Sequence, residues 1–478
     1  KKRKLENNNN ASDNGEAKDH KETKDEDEDN EETSDPRKKL AQRKDCPYLD
    51  TVKRQLLDFD FEKLCSVTLQ NFNVYACLVC GKYFQGRGRN SQAYLHSLQA
   101  DHHVFINLHN EKVYCLPDDY EVIDSSLADI KYVLNPTFTE DQIALLDLNK
   151  KTSTSLEGVT YVPGFIGLNN IKSTDYLNAA IQALSHVGQF RNFVMSEKNY
   201  SSLTKDALIY RFGELVRKMY NPKNFKAHVD PHEFVQAVSS ASKKRFHIGV
   251  QSDPIEFIQF FLNHVHRSLG GTKKTSSSII SKVFQGKVEI VTQKVNLEET
   301  EAKTTVGPPV TTVTPFFHLT LDIPAAPLFK DEAEKNVIPQ ITIFQLLEKF
   351  NGMKETHFAQ TGERKRFLLV KLPQYLIFHI KRFTKNTWFV EKNPTIVTSP
   401  LKSLDLKEYV SAGNQGSTKY DLVANICHEG EYGKGFYKAQ VLNKATDQWY
   451  DIQDLVVRPI LPQMIMLSES YVQIYERQ

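Results

Sequence analysis

The sequence predicts an α+β fold for its larger part, with a smaller domain ahead of it. Apolar residues recur at helical spacing from residue 175 to about 220, whereas runs typical of β-strands dominate from about Ile279 onward. Helices that precede strands, rather than alternating with them, indicate segregated layers. The composition also changes abruptly at Cys46, where a charged tail gives way to mixed apolar and aromatic sequence containing cysteine and histidine.

Composition excludes several classes of protein. The 478 residues are enough for two or three domains, and a hydrophobic content of 40% supports a large core. A formal net charge of +2 argues against a whole-surface polyanion binder. Six cysteines are too few for a disulfide scaffold and favour a reducing compartment. Because no apolar run approaches a membrane-spanning length and no signal peptide is visible, we expect a soluble intracellular protein without a membrane partner.

Residues 1–45 are predicted to be a disordered, charged tail. A basic cluster at residues 1–4 precedes an acidic block at 25–32, and only Leu5 and Leu40 are large apolar residues. Such a segment cannot offset the entropy that ordering would cost. The basic cluster is typical of a nuclear-import signal, and a solvated charged arm is the alternative interpretation.

The next domain, residues 46–149, carries residues with metal-ligand spacing. Cys77 and Cys80 form a Cys-x-x-Cys turn, which lets two thiolates hold one ion, and His96 and His102 follow within about twenty residues. Two thiolates and two imidazoles form a tetrahedral set that zinc prefers, so we expect one structural Zn²⁺.

Two alternatives to this ligand set remain open. His103 and His109 lie close in sequence, and either could replace the second histidine. The other interpretation is a pair of buried thiols beside unrelated surface histidines.

A polar linker is predicted at 150–160, followed by a large domain at 161–478. Helices are predicted over 175–185 and 203–220, and the stretch from Asn296 to Thr314, rich in Thr, Glu and Pro, is predicted to be a flexible insertion. Strands are predicted at Phe317–Ile323, Tyr375–Ile380, Tyr420–Cys427, Gly435–Leu442 and Ser470–Tyr475.

Several segments of the smaller domain match a known family: Cys-Pro-Tyr at 46–48, Tyr-Ala-Cys-Leu-Val-Cys-Gly at 75–81, Gly86-Arg87, His96, His102 and Val-Tyr-Cys at 113–115. They resemble the zinc-finger UBP domain found beside many ubiquitin-specific protease domains. The resemblance implies that Arg87 and Tyr114 help to hold the C-terminal tail of ubiquitin, with Tyr114 in place of the usual tryptophan. Gln85 stands where some members have another zinc cysteine, so the further zinc sites look incomplete. The remaining cysteines of this domain are then buried thiols: Cys46, Cys65 and Cys115.

The large domain contains four motif-like segments in order: Gly-Leu-Asn-Asn-Ile-Lys-Ser-Thr-Asp-Tyr at 167–176, Gln-Ser-Asp-Pro-Ile-Glu-Phe at 251–257, Leu-Pro-Gln-Tyr-Leu-Ile-Phe-His-Ile-Lys-Arg-Phe at 372–383, and Tyr-Val-Gln-Ile-Tyr at 471–475. They resemble the characteristic sequence motifs, or boxes, of the ubiquitin-specific proteases. This resemblance implies a papain-like fold with a helical thumb and a β-rich palm and fingers. Residues 283–383 contain no cysteine, so the zinc that active members bind in the fingers has no thiol ligand here.

The same resemblance assigns the catalytic positions to residues that cannot perform their roles. The nucleophile position is Asp175, the general-base position is Phe436, the orienting position is Gln453, and the oxyanion-hole position is Ser173. A carboxylate attacks a carbonyl poorly, and the mixed anhydride that it would form is high in energy. Loss of a nucleophile or base alone costs on the order of 10⁶ in rate. We therefore expect a pseudoenzyme.

Two substitute catalytic pairs are weak alternatives. Cys427 and His428 are adjacent, and neighbouring residues of a strand point to opposite faces, so they cannot easily form an ion pair. An acid–base pair of Asp175 with Asp253 or Glu256 matches no motif.

Three more segments, at 57–65, 380–386 and 390–397, resemble the catalytically silent splicing-factor branch of this protease family. That resemblance implies a pre-mRNA splicing factor in the nucleus, which acts as a non-catalytic scaffold in assembly or stability of the spliceosomal tri-snRNP. The expected partners are snRNP proteins. The alternatives are a ubiquitin-binding adaptor and a residual deubiquitinase. Direct RNA contact has little support, because we find no RNA-recognition signature.

Overall fold

The computed structural model describes seven stretches of the chain: residues 42–205, 207–297, 304–324, 338–358, 361–385, 389–414 and 416–478. The predicted nuclear-import cluster and the acidic block lie outside these residues. Among the described residues, no helix is both long enough and apolar enough to span a bilayer.

The smaller domain is built on one six-stranded sheet. Its strands are β1 (Gln42–Arg43), β2 (Val74–Cys77), β3 (Tyr83–Gln85), β4 (Val104–Asn107), β5 (Val113–Cys115) and β6 (Tyr120–Val122), and its helices are α1 (Gln92–Ala100), α2 (Ala128–Leu134) and α3 (Glu140–Ala144). The strand order is β1-β6-β5-β4-β2-β3. Because β1 pairs with β6, the sheet includes two residues that the sequence assigned to the tail. The predicted thiols Cys46, Cys65 and Cys115 are free and buried.

The next region is mainly helical. It contains the short strands β7 (Ser153–Thr154), β8 (Thr160–Tyr161), β9 (Gly167–Leu168) and β10 (His228–Val229), and the helices α4 (Asp175–Ser185), α5 (Gly188–Met195), α6 (Leu208–Met219), α7 (His232–Ala241), α8 (Pro254–Ser268) and α9 (Ile279–Phe284). Helix α4 spans the predicted residues, and all eleven of them are buried. The segment predicted to be a linker forms the β7–β8 hairpin.

Strands dominate the rest of the chain. They are β11 (Gly286–Leu297), β12 (Thr304–Val306), β13 (Val310–Phe316), β14 (Leu319–Asp322), β15 (Gln340–Thr342), β16 (Thr356–Phe358), β17 (Glu363–Lys371), β18 (Tyr375–Lys381), β19 (Phe383–Lys385), β20 (Val390–Lys392), β21 (Ile396–Thr398), β22 (Leu404–Asp405), β23 (Lys419–Glu429), β24 (Phe436–Asn443), β25 (Gln448–Gln453), β26 (Val456–Ile460) and β27 (Ser470–Arg477). Two short helices accompany them, α10 (Ile343–Leu347) and α11 (Pro462–Met466).

These strands form two main sheets. The palm sheet has the order β14-β18-β27-β23-β24-β25-β26, with β22 beside β23. The fingers sheet places β11 between β17 and the pair β12 and β13, with β16 outside β17. Helix α4 packs on β24, so the buried helix and the palm share one hydrophobic core. The α+β class and the segregation of helices from strands are therefore confirmed.

The flexible insertion predicted between Asn296 and Thr314 is wrong in part. Strand β12 pairs with the end of β11, and β13 pairs with its first half in an antiparallel register from Gly286↔Phe316 to Thr292↔Val310. The run Val310–Thr314 contains only β-branched residues, which favour a pleated conformation over a loop. The content of Thr and Pro therefore reflects an exposed strand rather than a loop in this part of the segment.

Two lysines of the large domain contact residues 58–60, a loop of the smaller domain. The Lys218 ammonium, on α6, donates to the Phe59 carbonyl at 3.0 Å and pairs with Asp60 at 3.0 Å. Lys226 pairs with Asp58. The backbone N–H of Asp230 also donates to Asp60, at 3.1 Å. These contacts hold the two domains against each other through a partly buried network of charges.

Candidate functional site

The carboxylate of Asp175 lies at the start of α4 and is almost completely buried. Its Oδ2 atom accepts two hydrogen bonds, from the Gln251 side-chain amide at 2.7 Å and from the backbone N–H of Tyr437 at 2.8 Å. The same Gln251 amide donates to the carbonyl of Gly435 at 3.0 Å. Burial raises the pKa of Asp175, while both hydrogen bonds oppose that rise. The Asp175 carboxylate therefore accepts hydrogen bonds that link the start of α4 to the palm sheet and to Gln251, which precedes α8.

The loop that leads to Asp175 has an unusual backbone conformation. Lys172 and Ser173 both adopt left-handed conformations, with φ of 58° and 62°. Glycine or asparagine usually fills such positions, because other side chains clash with the backbone there. The Lys172 carbonyl accepts a bond from the Gly249 N–H at 2.9 Å, and this contact helps to hold the strained turn. Lys172 and Ser173 thus hold a left-handed turn without a glycine or an asparagine.

The two other degenerate positions lie on neighbouring palm strands. Phe436 begins β24, and Gln453 ends β25. Gly435, before Phe436, has no room for a side chain: an added Cβ would lie 2.2 Å from the Glu429 carbonyl oxygen and 2.5 Å from the His428 ring. Close packing therefore requires glycine at 435, while the next residue, at the position that the resemblance assigns to the general base, carries a phenyl ring.

Asp454, the residue after Gln453, forms hydrogen bonds with α4 and with the loop that precedes it. Asp454 accepts from the side-chain amides of Asn170 at 3.0 Å and Asn178 at 2.8 Å, and its carbonyl accepts from the Leu168 N–H at 3.0 Å. Sequence reasoning missed this role of Asn178 and Asp454, as it missed the bridging role of Gln251. The available signal for Gln251 was its place in the family-like segment 251–257, and that for Asp454 was its place directly after Gln453.

Cys427 and His428 have separate surroundings. The Cys427 thiol lies near the amides of Asn425 and Gln440, and burial raises its pKa to about 12. The His428 ring packs on Phe383 and Tyr437, and burial lowers its pKa to about 4. At neutral pH the thiol is protonated and the imidazole is neutral. Asp253 serves as the N-cap of α8 and accepts a bond from Tyr471, which is a structural role.

Cys77, Cys80, His96 and His102 come together as one cluster, with their ligand atoms within 4.8 Å of one another. The Cys77 Sγ lies 3.6 Å from a ring nitrogen of His102, and the Cys80 Sγ lies 3.4 Å from one of His96. The end of β2 and its following turn supply the thiols, and α1 supplies the first histidine. The hydrogen bond with Cys77 lowers the pKa of Cys80, so the first thiolate forms there. The donor set fits a Cys/His metal site.

The alternative ligands, His103 and His109, are not part of this cluster. One ring nitrogen of His103 lies 2.7 Å from the Leu116 carbonyl, and the other lies 2.8 Å from Asp101. The cluster contains His102 rather than His103 because Asp101, the residue after α1, adopts a left-handed conformation that turns the chain back toward the thiols.

Arg87 and Tyr114, the predicted ubiquitin-tail residues, are in contact with each other. The Arg87 guanidinium lies 4.5 Å from the centre of the Tyr114 ring, and it forms an ion pair with Asp119. A stacked guanidinium of this kind is suited to binding a carboxylate. In this structure that acceptor is Asp119.

Comparison with known proteins agrees with both domains. Residues 166–475 match the family model described as "Ubiquitin carboxyl-terminal hydrolase", and residues 65–127 match the model described as "Zn-finger in ubiquitin-hydrolases and other protein". The first match alone covers more than half of the chain.

The similar proteins include splicing proteins. "Ubiquitin carboxyl-terminal hydrolase 39" of Homo sapiens is 52% identical over 462 residues, which cover 91% of this chain and 80% of that protein. "Probable mRNA-splicing protein ubp10" of Schizosaccharomyces pombe is 47% identical over 446 residues, covering 90% of this chain and 88% of that protein. A solved structure described as an "essential yeast splicing factor" has a TM-score of 0.73 at 30% identity, and the match covers 90% of this chain and 99% of that one. The chain therefore belongs to the ubiquitin carboxyl-terminal hydrolase family and is similar throughout its described domains to the splicing proteins within it.

Proposed function

We propose that this chain is a nuclear pre-mRNA splicing factor that acts as a non-catalytic scaffold in assembly or stability of the spliceosomal tri-snRNP. The observation that carries the proposal is the similarity to splicing proteins across both domains, at 47% identity with the Schizosaccharomyces pombe protein. Its partners are proteins of the spliceosomal snRNPs. The family fold then serves as a binding platform.

The geometry around Asp175 supports the absence of catalysis. Its Oδ2 atom already accepts bonds from Gln251 and from the Tyr437 backbone, so it is engaged in holding the two walls of the former cleft. Attack on an amide needs a thiolate or hydroxyl activated by a base. Phe436 offers no base at the position where the family has histidine.

A structural Zn²⁺ belongs to the same proposal. Cys77, Cys80, His96 and His102 would hold it, and the ion would supply a tetrahedral cross-link within the smaller domain. Cys77 ends β2 and Cys80 lies in the following turn, while His96 lies in α1 and His102 just after it, so the ion would join the sheet to the helix.

A second candidate function is binding of ubiquitin without cleavage. The contact of Arg87 with Tyr114 favours it, because a stacked guanidinium can bind a C-terminal carboxylate. Asp119 would then compete with the ubiquitin tail for Arg87. Titration with ubiquitin by calorimetry tests this function. Micromolar binding by the parent chain that is lost in Arg87→Ala and strengthened in Asp119→Asn supports this function. Absence of binding heat with the parent chain and with both variants contradicts it.

Purification of the tagged full chain from nuclear extract tests the scaffold. Mass spectrometry of the purified material should recover tri-snRNP proteins, with an untagged extract as the control. A parallel assay with a fluorogenic ubiquitin C-terminal substrate should show no turnover. Recovery of no tri-snRNP protein contradicts the scaffold, whereas turnover contradicts only the absence of catalysis.

A further inference from the structure

Strand β13 is an open edge of the fingers sheet. It pairs with β11 on one side, and no strand among the described residues pairs with its other side. Every residue from Val310 to Pro315 is exposed, and Val310 and Val313 keep 59% and 53% of their surface exposed. Its backbone therefore offers unpaired N–H and carbonyl groups to a further strand.

This edge lacks the charges that usually prevent pairing. Its sequence is Val-Thr-Thr-Val-Thr-Pro-Phe, without a charged residue. Proteins commonly protect an exposed edge with lysine, proline or a bulge. Here prolines at 308, 309 and 315 lie at the two ends, and they confine the unprotected part to the five residues Val310–Thr314. These five residues span about 17 Å.

A cavity of about 390 Å³ lies at the C-terminal end of the same strand. Its size falls within the roughly 300–1,000 Å³ that is usual for ligand sites. Pro315 and Phe316 of β13 line it, together with Leu262 of α8, Gln259 of α8 and His318. The cavity thus combines apolar walls with a few polar groups.

The polar groups of the cavity carry no charge. The Gln259 amide nitrogen lies 2.9 Å from a ring nitrogen of His318, and burial lowers the pKa of His318 below its usual value, which keeps the imidazole neutral at pH 7. Gln285, which also lines the cavity, is 6% exposed, and its side-chain oxygen has no hydrogen-bond partner within the described part of the chain. An uncharged side chain therefore fits this cavity better than a charged one.

We propose that β13 and this cavity form one docking site for an extended, uncharged peptide segment of a partner protein. The segment adds a strand to Val310–Thr314, and one of its apolar or aromatic side chains enters the cavity beside Phe316. In such sites main-chain hydrogen bonds supply affinity and a pocket for one side chain supplies specificity. This proposal rests on the proposed scaffold function, since it assigns a contact surface for a spliceosomal protein.

Other occupants fit the same features less well. Two copies of the chain paired through β13 would contact each other through five residues each, whereas stable interfaces use roughly 20–30 residues a side. Nucleic acid needs cationic groups for its phosphates, and β13 has none.

Site-specific photo-cross-linking in nuclear extract tests the site. A photoreactive amino acid replaces Thr312 in the tagged full chain, and a second version carries it at the exposed Thr446, far along the chain in the β24–β25 turn. Mass spectrometry should map the Thr312 cross-link to a short uncharged segment of a spliceosomal protein. The Thr446 version should not give that cross-link.

Matched substitutions separate docking from folding. Val313→Lys places a charge on the edge, and Val67→Lys makes the same change at a residue that is 60% exposed in the smaller domain. The Thr312 cross-link should be lost in Val313→Lys and retained in Val67→Lys, with equal melting temperatures. If Val313→Lys lowers the melting temperature, Thr311→Glu takes its place.

The outcomes distinguish the two proposals. Undiminished recovery of tri-snRNP proteins with no Thr312 cross-link overturns the β13 site and leaves the scaffold function standing. A Thr312 cross-link to a second copy of the chain, to RNA or to ubiquitin also overturns the site as proposed. Recovery of no tri-snRNP protein with the unaltered chain contradicts the scaffold function itself, and the site falls with it.

Discussion

The carboxylate of Asp175 accepts a 2.8 Å hydrogen bond from the backbone N–H of Tyr437, a residue 262 positions later in the chain. This bond joins the first turn of α4 to the start of β24, where a protease of this family would place its nucleophile and its base. The side-chain amide of Gln251 donates a hydrogen bond to the same Asp175 oxygen and another to the Gly435 carbonyl. The buried Asp175 carboxylate is thus a point of attachment between α4 and the palm sheet.

We expect that Asp175→Cys alone will not restore hydrolysis. The new thiol would lack an imidazole, because Phe436 stands at the base position, and His428 packs against Tyr437 with its pKa lowered to about 4. A thiol without a base loses on the order of 10⁶ in rate. The measurement is release of fluorophore from a ubiquitin C-terminal substrate, with an active family member as positive control. Turnover above the level of the parent chain would show this prediction to be wrong.

Relief of the strained turn before α4 should stabilise the protein. Lys172→Gly removes a side chain from a residue with φ of 58°, and the gain should be roughly 0.5–1 kcal/mol in the free energy of unfolding. Urea denaturation measures it. Lys434→Gly is the control: it is also an exposed loop lysine, but its φ is not positive, so the same change should lower stability. Equal effects of both substitutions would contradict the assignment of strain.

The charge network between the domains should make stability depend on acid pH. Burial alone would raise the pKa of Glu214, but Lys218, Lys63 and Arg211 lower it to about 2, against an ordinary value of 4.5. A carboxyl whose pKa is depressed in the folded state contributes stability that is fully present above about pH 4.5 and is lost as the pH falls toward 2. Glu214→Gln should therefore remove on the order of 3 kcal/mol at pH 7 and flatten this acid limb.

Denaturation at pH values from about 3 to about 7, spaced by roughly one unit, measures this dependence. Glu256→Gln is the control, because Glu256 forms an exposed pair with Arg245 and such pairs contribute about 0–1 kcal/mol. Burial raises the pKa of the neighbouring Glu233, and the Glu214 charge adds to that rise. The difference between the Glu214→Gln protein and its parent therefore reports Glu214 together with its repulsion of Glu233. A difference that does not change with pH would contradict the prediction.

Metal content should depend on His102 and not on His103. We expect one zinc per chain by elemental analysis, with loss of the metal and unfolding of the smaller domain in Cys77→Ser and His102→Ala. His103→Ala should keep the metal, because its ring nitrogens face Leu116 and Asp101. Loss of zinc in both histidine variants, or its absence from the parent protein, would contradict this ligand set.

Local patterns predicted much of the fold. The apolar spacing of α4 predicted its bounds at residues 175–185, and the Cys-x-x-Cys turn with two later histidines predicted the residues that cluster. Composition misled where the pattern was ambiguous: the Thr- and Pro-containing stretch before Phe316 was predicted to be a loop, and part of it is β13. An exposed strand differs from a loop mainly in its pairing partner, and that partner, β11, is not visible in the strand's own residues.

By itself the sequence determined which residue types stand at the positions that the family resemblance assigns to catalysis, because residue identity at a motif position needs no coordinates. Asp175, Phe436 and Gln453 were therefore predicted to replace catalytic residues before any packing was known. Only the tertiary structure decided that the Asp175 carboxylate bonds to the Tyr437 N–H, that Lys172 adopts a left-handed turn, and that no described strand pairs with the second edge of β13. The physical reason is that burial and hydrogen-bond partners are set by segments far apart in the chain, whereas periodicity and motif spacing are properties of each segment alone.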